Sequence, residues 1–332
     1  MKNRPEQGEF DSSGASGTSA LAESGPLVPV LGNIANDTCT YVEPVTGALV
    51  DAGTSTNFTN AAYDDALYHP GQMARSARNL DSVSDDDVRF YSENGYLSVE
   101  QAFSPSEIDA AMQGLIDLVM GKNPAFKQVT FEAKARKVLP GLTPEQRLDY
   151  VRKLDEFVEF DSRLKALAHH PKLLAVARRM VGDDAVLFSD MAMIKPPKVG
   201  REKPWHQDMA YYKFEPETKV VGVWVALDEA TVENGCMQLL PDLKKRGAII
   251  HFKRRDWQIC DAEIMGRRSV AAPLKPGGLL FFDGLLPHGT PENRSQQRRR
   301  AVQFHYVSAS AKKVTDEDRL RVFGNEGKNV TC

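Results

Sequence analysis

Residues 204–212 read PWHQDMAYY and set His206 and Asp208 one residue apart, where a strand-like stretch runs into a loop. In a strand the side chains at i and i+2 share a face, so this imidazole and carboxylate converge while Gln207 looks away. Such a pair is part of a facial metal site and needs a third ligand. The segment GLLFFDGLLPHG, 278–289, brings His288 to the end of a hydrophobic strand, between Pro287 and Gly289. Of the seven histidines, His206 and His288 both fall where a strand passes into a turn, the rim position at which sheet proteins expose reactive groups. Two imidazoles and one carboxylate compose the triad that holds non-haem Fe(II) and leaves coordination positions open for reactants. A zinc hydrolase fits the same donors less well, since catalytic zinc more often takes three His, or two His with Glu.

A cationic run, RRRAVQFHY at 298–306, follows the distal histidine. A guanidinium offers a bidentate fork to a carboxylate, which suits the far end of a dicarboxylate whose near end chelates iron. Arg298, Arg299 and Arg300 compete for that role. Alternation sets Arg299 with Ala301, Gln303 and His305, and Arg298 and Arg300 with Val302 and Phe304; which set faces inward is left open. In VVGVWVALD, Gly222 and Ala226 flank Trp224 on its own face and leave room there, opposite a packed face of Val221, Val223, Val225 and Leu227.

The elements that must position these groups fall into two blocks. From 84 to 182 helical signals dominate. Ser84 caps a helix that stops at Gly95, and Ser104, Pro105 and Glu107 form a capping box ahead of Ile108, Met112, Leu115 and Val119. Thr143, Pro144 and Gln146 repeat the device before TPEQRLDYVRKLDEFVEF, which predicts a further helix, and PKLLAVARRMVG predicts one ending at Gly182. After Gly182 the period falls to two, with strands at AVLFSDMAMI, VVGVWVALD, CMQLLP, AIIHF, SVAAPL, GLLFFD and RAVQFHYVSA. Helices followed by short strands, without βαβ alternation, indicate an antiparallel sandwich or barrel backed by helices.

The W-H-x-D motif, the distal P-H-G and Arg299, eleven residues past His288, together resemble the phytanoyl-CoA dioxygenase family of Fe(II)/2-oxoglutarate oxygenases. MAMIKPP before the first motif, VWVALDEATVENGCMQLLP after it and GLLFFDGLLPHG resemble family blocks, and the likeness runs over roughly 84–310. It implies a double-stranded β-helix, a jelly roll buttressed by N-terminal helices. It implies iron at His206, Asp208 and His288, and the distal carboxylate of 2-oxoglutarate on Arg299. Trp224, Gln207 and Met191 match pocket positions of the family, and Lys153 in VRKLDEF aligns with a lysine that meets the co-substrate. The implied reaction is hydroxylation of an unactivated C–H with release of succinate and CO2, consuming O2 and stimulated by ascorbate. A metal-binding jelly-roll module without oxygenase activity is the alternative. The chain departs from the family where relatives carry a P-G-S/T-H turn: here it reads LPDLKKRG, and His251 is the nearest compensating group.

Composition sets the outer limits. With 332 residues, 42 Lys+Arg against 45 Asp+Glu and a formal charge of −3, the chain offers no case for nucleic acid or a membrane surface, and a small-molecule partner fits better. Cys39, Cys236, Cys260 and Cys332 form no C-x-x-C pair, which points to a reducing compartment. With no apolar leader and no apolar run long enough to span a bilayer, a cytoplasmic location is expected. Residues 1–80, rich in Ser, Gly, Thr, Asn and Asp, are expected to be a disordered or surface-draped extension, with the catalytic domain at 81–312 and a tail at 313–332. Lys244, Lys245, Arg246, Lys253, Arg254, Arg255, Arg267 and Arg268 lie between the NGC strand and His288. They read either as a solvated, charge-balanced loop or as a docking surface for an anionic or acyl-CoA-like substrate.

Overall fold

Strand alternation settles which residues share a layer, and the central strand shows it most clearly. Val220–Ala226 pairs antiparallel with Leu279–Asp283 on one side and Arg299–Ser308 on the other. Its valines Val221, Val223 and Val225 join Phe281, Val302, Phe304 and Tyr306 in a buried layer, closed by Ile108, Leu115, Leu164, Val176 and Met180 from the helices. Trp224 and Ala226 turn the other way, with Leu280, Phe282 and Ala301, onto Met237, Leu239, Val270 and Ala272 of a second sheet. The computed structural model describes residues 62–132, 135 and 138–324, together with two short paired strands, Thr40–Val42 and Leu49–Asp51.

The larger sheet has eight strands in the order Ser76–Ala77, Tyr96–Val99, Leu279–Asp283, Val220–Ala226, Arg299–Ser308, Ala185–Lys195, Val151–Asp155, Val129–Phe131. The smaller has five, in the order Pro70–Met73, Ser269–Ala272, Met237–Leu239, His288–Thr290, Lys203–His206. From Lys203 onward the chain passes back and forth between the two sheets, which is the double-stranded β-helix expected above.

Helices buttress the outer face of the larger sheet, and their ends follow the local chemistry. Pro105–Val119 starts at a reciprocal capping box, in which Ser104 N donates to Glu107 at 2.8 Å and Glu107 N donates to Ser104 Oγ at 3.4 Å. Gly95 and Gly182 end their helices with φ of 81° and 82°, where a side chain would be strained. No helix among the described residues is long and apolar enough to cross a membrane.

Three expectations are corrected. The helix predicted from Thr143 runs only over Pro144–Arg147; the chain then forms the strand Val151–Asp155, paired with Val129–Phe131 and Ala185–Lys195. The cap at Thr143 and Gln146 forms as read, but it secures only one turn. Beyond it, burial of Val151 and Leu154 and the free sheet edge outweigh helix propensity. The limits at 80 and 313 fall inside packed structure: Pro70–Met73 and Ser76–Ala77 extend the two sheets, and Leu67 and Tyr68 pack against Trp205. At the other end, helix Asp316–Phe323 buries Phe323. Edge strands are recruited through backbone groups, which leave little periodicity to read. Finally, the room reserved beside Trp224 at Gly222 is taken by Phe282, whose ring would lie 2.2 Å from an added Cβ.

That last contact predicts that Gly222→Ala lowers stability by about 1–3 kcal/mol through overpacking. In a thermal melt, the double variant Gly222→Ala/Phe282→Leu should recover part of the loss. An unchanged melting temperature in the single variant would show that the ring moves aside freely.

Candidate metal centre

His206 closes the strand Lys203–His206 and stands directly across an antiparallel pairing from His288, the first residue of His288–Thr290. Asp208 joins them by a different route from the one expected, because the strand ends at His206 and Asp208 opens a 3₁₀ turn, Asp208–Ala210. One donor atom from each of the three lies within 4.8 Å of the others, and all three side chains are buried. Asp208 Oδ1 is 3.3 Å from His206 Nε2 and 3.6 Å from His288 Nε2.

Each imidazole is held by its other nitrogen. His206 Nδ1 donates to Pro204 O at 2.8 Å and His288 Nδ1 to Leu286 O at 2.9 Å, so both rings carry the proton on Nδ1 and turn the Nε2 lone pair inward. Burial, reinforced by neighbouring His206, pulls His288 down to about 3, which keeps it neutral and able to ligate. Burial alone would raise Asp208, but the surrounding histidines, His288 and His305 foremost, with the hydrogen bond from His305, hold it well below the usual carboxylate range. Tyr211 meets His206 edge-on with ring centroids 5.6 Å apart, and Phe282 leans on His288 at 4.8 Å.

Gln207 does turn away from the triad, and its side chain is taken up by backbone partners. Its Nε2 donates to Gly247 O at 2.8 Å and Leu285 O at 2.6 Å, while Oε1 accepts from Ile249 N at 2.8 Å. Gln207 N donates to His251 Nε2 at 3.0 Å, and His251 Nδ1 donates to Ile249 O at 2.8 Å. Both side chains fasten the ligand-bearing turn to the 247–251 segment, so His251 is a structural clamp. Burial pushes it down to about 3.

Arg299 is the inward member of its triplet. It is 1% exposed, pairs across the sheet with Lys195, and shares its face with Ala301, Gln303 and His305. Its Nη1 donates to Met193 O at 2.9 Å and its guanidinium carbon lies 5.3 Å from the Trp224 ring centroid. Its Nε is buried without a partner, and among the described residues no carboxylate forms an ion pair with it. Burial draws this guanidinium down to about 10. Arg298 and Arg300 turn outward to Asp149 and Asp228, beside a surface cleft of about 740 Å³ that contains none of the triad residues.

Register places the remaining residues. Trp224, Gln303, Met191 and Asp155 follow one another across four strands, and Ala301, Met193 and Lys153 across the next row. Met191 and Lys153 thus sit on the Arg299 face, Lys153 from a strand rather than the predicted helix, with its Nζ 2.7 Å from Asp155 Oδ1. Lys195 carried no expectation. It is buried beside Arg299 and donates to Pro291 O at 2.7 Å and to Arg201 O at 2.5 Å, tying the segments that lead from His288 and into His206. His305 and Gln303 also reach Asp208; their positions two and three steps along the Arg299 face were the available signal.

Much of the basic segment is engaged by acids, as the charge-balanced reading expects. Arg255 is buried against Glu202 and Asp261, at 2.8 and 2.5 Å. Arg254, Arg246 and Arg267 pair with Asp261, Glu263 and Asp242, and Lys244 lies 3.6 Å from Asp283.

A sequence profile described as Phytanoyl-CoA dioxygenase (PhyH) matches residues 91–301. The peroxisomal phytanoyl-CoA dioxygenase of Homo sapiens is 25% identical over 278 residues, covering 80% of this chain and 79% of its own. Phytanoyl-CoA dioxygenase domain-containing protein 1 of Danio rerio is 24% identical over 274 residues, covering 69% and 92%. Among solved structures, EctD from S. alaskensis with 2-oxoglutarate and 5-hydroxyectoine superposes with a TM-score of 0.56 at 23% identity, over 69% of this chain and 78% of that one. The non-heme alpha ketoglutarate dependent carbocyclase SnoK, from nogalamycin biosynthesis, gives 0.54 at 20% identity, over 76% and 95%. Both likenesses carry the fold. With its profile matched over most of the chain, the protein belongs to the phytanoyl-CoA dioxygenase family and is a 2-oxoglutarate-dependent dioxygenase.

Proposed function

We propose that the protein hydroxylates an unactivated C–H of a small organic substrate, with ferrous iron on His206, Asp208 and His288 and the distal carboxylate of 2-oxoglutarate on Arg299. The observation that carries this reading is Arg299, a buried guanidinium with an unpartnered Nε and, among the described residues, no carboxylate paired with it. A buried charge of this kind is costly unless something pairs it, and a dicarboxylate tail supplies the missing partner. The donor set fits the metal as well: two neutral imidazoles and an ionised carboxylate suit Fe(II), and no fourth acidic or imidazole donor joins the cluster among the described residues. Iron so held supplies the activation of O2 that couples decarboxylation of 2-oxoglutarate, to succinate and CO2, with insertion of oxygen into a C–H bond.

The chain's own contribution is position and dryness. The Nδ1 hydrogen bonds to Pro204 O and Leu286 O aim both Nε2 atoms before anything binds. Trp224 lies against the Arg299 guanidinium, with Met191 and Lys153 on the same face of the sheet. Ascorbate stimulates turnover by keeping iron ferrous. The names of the relatives make an acyl-CoA ester one substrate class. Lys244, Arg246, Arg254, Arg255 and Arg267 are engaged by acids and lend that class little support, so the substrate class we favour is a small molecule taken up without a cationic docking strip.

Three outcomes test the reading. His206→Ala, Asp208→Ala and His288→Ala should each abolish iron-dependent formation of succinate from 2-oxoglutarate while thermal melts still show a folded protein; turnover surviving in the His288 variant would remove it from the ligand set. Arg299→Gln should weaken 2-oxoglutarate binding by about 2–5 kcal/mol, seen as a raised KM, whereas Arg298→Gln and Arg300→Gln should leave KM nearly unchanged. Gln207→Ala leaves Gly247 O, Leu285 O and Ile249 N unpaired at about 1–3 kcal/mol each, so it should lower the melting temperature. A larger effect on the 2-oxoglutarate KM than on stability would mark Gln207 as a co-substrate residue.

A further inference from the structure

The two oxygens of Asp208 keep separate company. Oδ1 faces the Nε2 atoms of His206 and His288. Oδ2 points the other way, 2.7 Å from His305 Nε2 and 3.3 Å from Gln303 Nε2. His305 is fully buried, and its Nδ1 lies 2.9 Å from the Tyr212 hydroxyl, which in turn is 3.4 Å from Ser189 Oγ. The rings of Phe188, Tyr212 and Phe282 surround it at 6.0, 5.0 and 6.1 Å, so it has one orientation open to it.

An ionised carboxylate only accepts, so His305 Nε2 carries the proton and donates to Oδ2, with Gln303 Nε2 3.1 Å from the same nitrogen. In the neutral ring His305 Nδ1 accepts from the Tyr212 hydroxyl, which burial keeps protonated. The line from Tyr212 through His305 to Oδ2 is thus joined by a hydrogen bond at each step.

We propose that His305, backed by Tyr212, is a positioning residue that commits Asp208 to ligation through Oδ1 alone. A carboxylate free to swing can close on a metal with both oxygens and occupy a position that a 2-oxoacid chelate or O2 requires. With Oδ2 engaged by His305, that closure costs a buried hydrogen bond. His305 sits on the strand that begins with Arg299, so one strand both anchors the co-substrate and orients the carboxylate ligand. The inference rests on the triad reading above, and its test uses metal binding, so that the two can fail separately.

The experiment is anaerobic titration of the full chain with Co(II), followed by its visible absorption, for the parent, His305→Ala, His305→Gln, Tyr212→Phe and, as a control, His206→Ala. His305→Ala should weaken Co(II) binding by about 10- to 100-fold, the usual effect of losing a group that orients a ligand. His305→Gln, whose amide can still donate to Oδ2, should recover most of that loss. Tyr212→Phe should cost about 5-fold, the worth of one hydrogen bond. A merely structural role would lower melting temperatures without this rescue by glutamine. Affinity in His305→Ala equal to the parent's, or glutamine no better than alanine, overturns the proposal while a metal-free His206→Ala leaves the triad intact. Tight Co(II) binding by His206→Ala overturns both. Should His305→Ala not fold, unchanged affinity in Tyr212→Phe overturns the proposal.

Discussion

The antiparallel pairing of Val220–Ala226 with Arg299–Ser308 is the constraint on which the rest of the barrel depends. Its register sets Trp224 opposite Gln303 and Gly222 opposite His305, and so decides which of each strand's faces looks inward. A slip of one residue would turn Val302, Phe304 and two outward arginines into the cavity and expose Arg299 to the helices. The valine-rich outer face forbids that slip, because Val221, Val223 and Val225 have a buried apolar layer to fill. Packing on one side of the sheet therefore fixes the chemistry on the other.

Inside the barrel, polar groups are admitted only with their partners arranged in advance. The triad imidazoles spend their Nδ1 protons on carbonyls two residues back, Asp208 divides its oxygens between ligands and His305, and Gln207 and His251 clamp the turn from behind. Lys195 donates to carbonyls on both sides of the site. Arg299 retains an unused Nε donor, and in the reading proposed above the tail of a dicarboxylate takes it. In a medium that strengthens every made hydrogen bond and penalises every missing one, such a donor is informative.

Outside the barrel, charge is spent on structure. The cations between Lys244 and Arg268 look like a basic patch in one dimension, yet Arg255 is buried between Glu202 and Asp261, and its neighbours find acids of their own. Glu202 stands 53 residues from Arg255 in sequence, so that pairing exists only after folding.

Residue order alone identified the donors and much of their scaffold. The spacing of His206, Asp208, His288 and Arg299, the strand periods after Gly182 and the caps at Ser84, Ser104 and Gly182 are local properties, carried by side-chain type and alternation. It left three arginines in contention, because alternation defines two faces without saying which is inside; burial of Val302, Phe304 and Tyr306 against the helices turned Arg299 inward. It read 143–160 as helix, since a capping box constrains one turn and the sheet edge that claims Val151–Asp155 lies elsewhere in the chain. It showed neither the backbone partners of Gln207 nor any role for His305, because hydrogen bonds to Gly247, Leu285 and Asp208 join residues dozens of positions apart. Local order names groups that can react; only folding, by fixing which face of each strand is buried and who stands opposite, decides which of them meet.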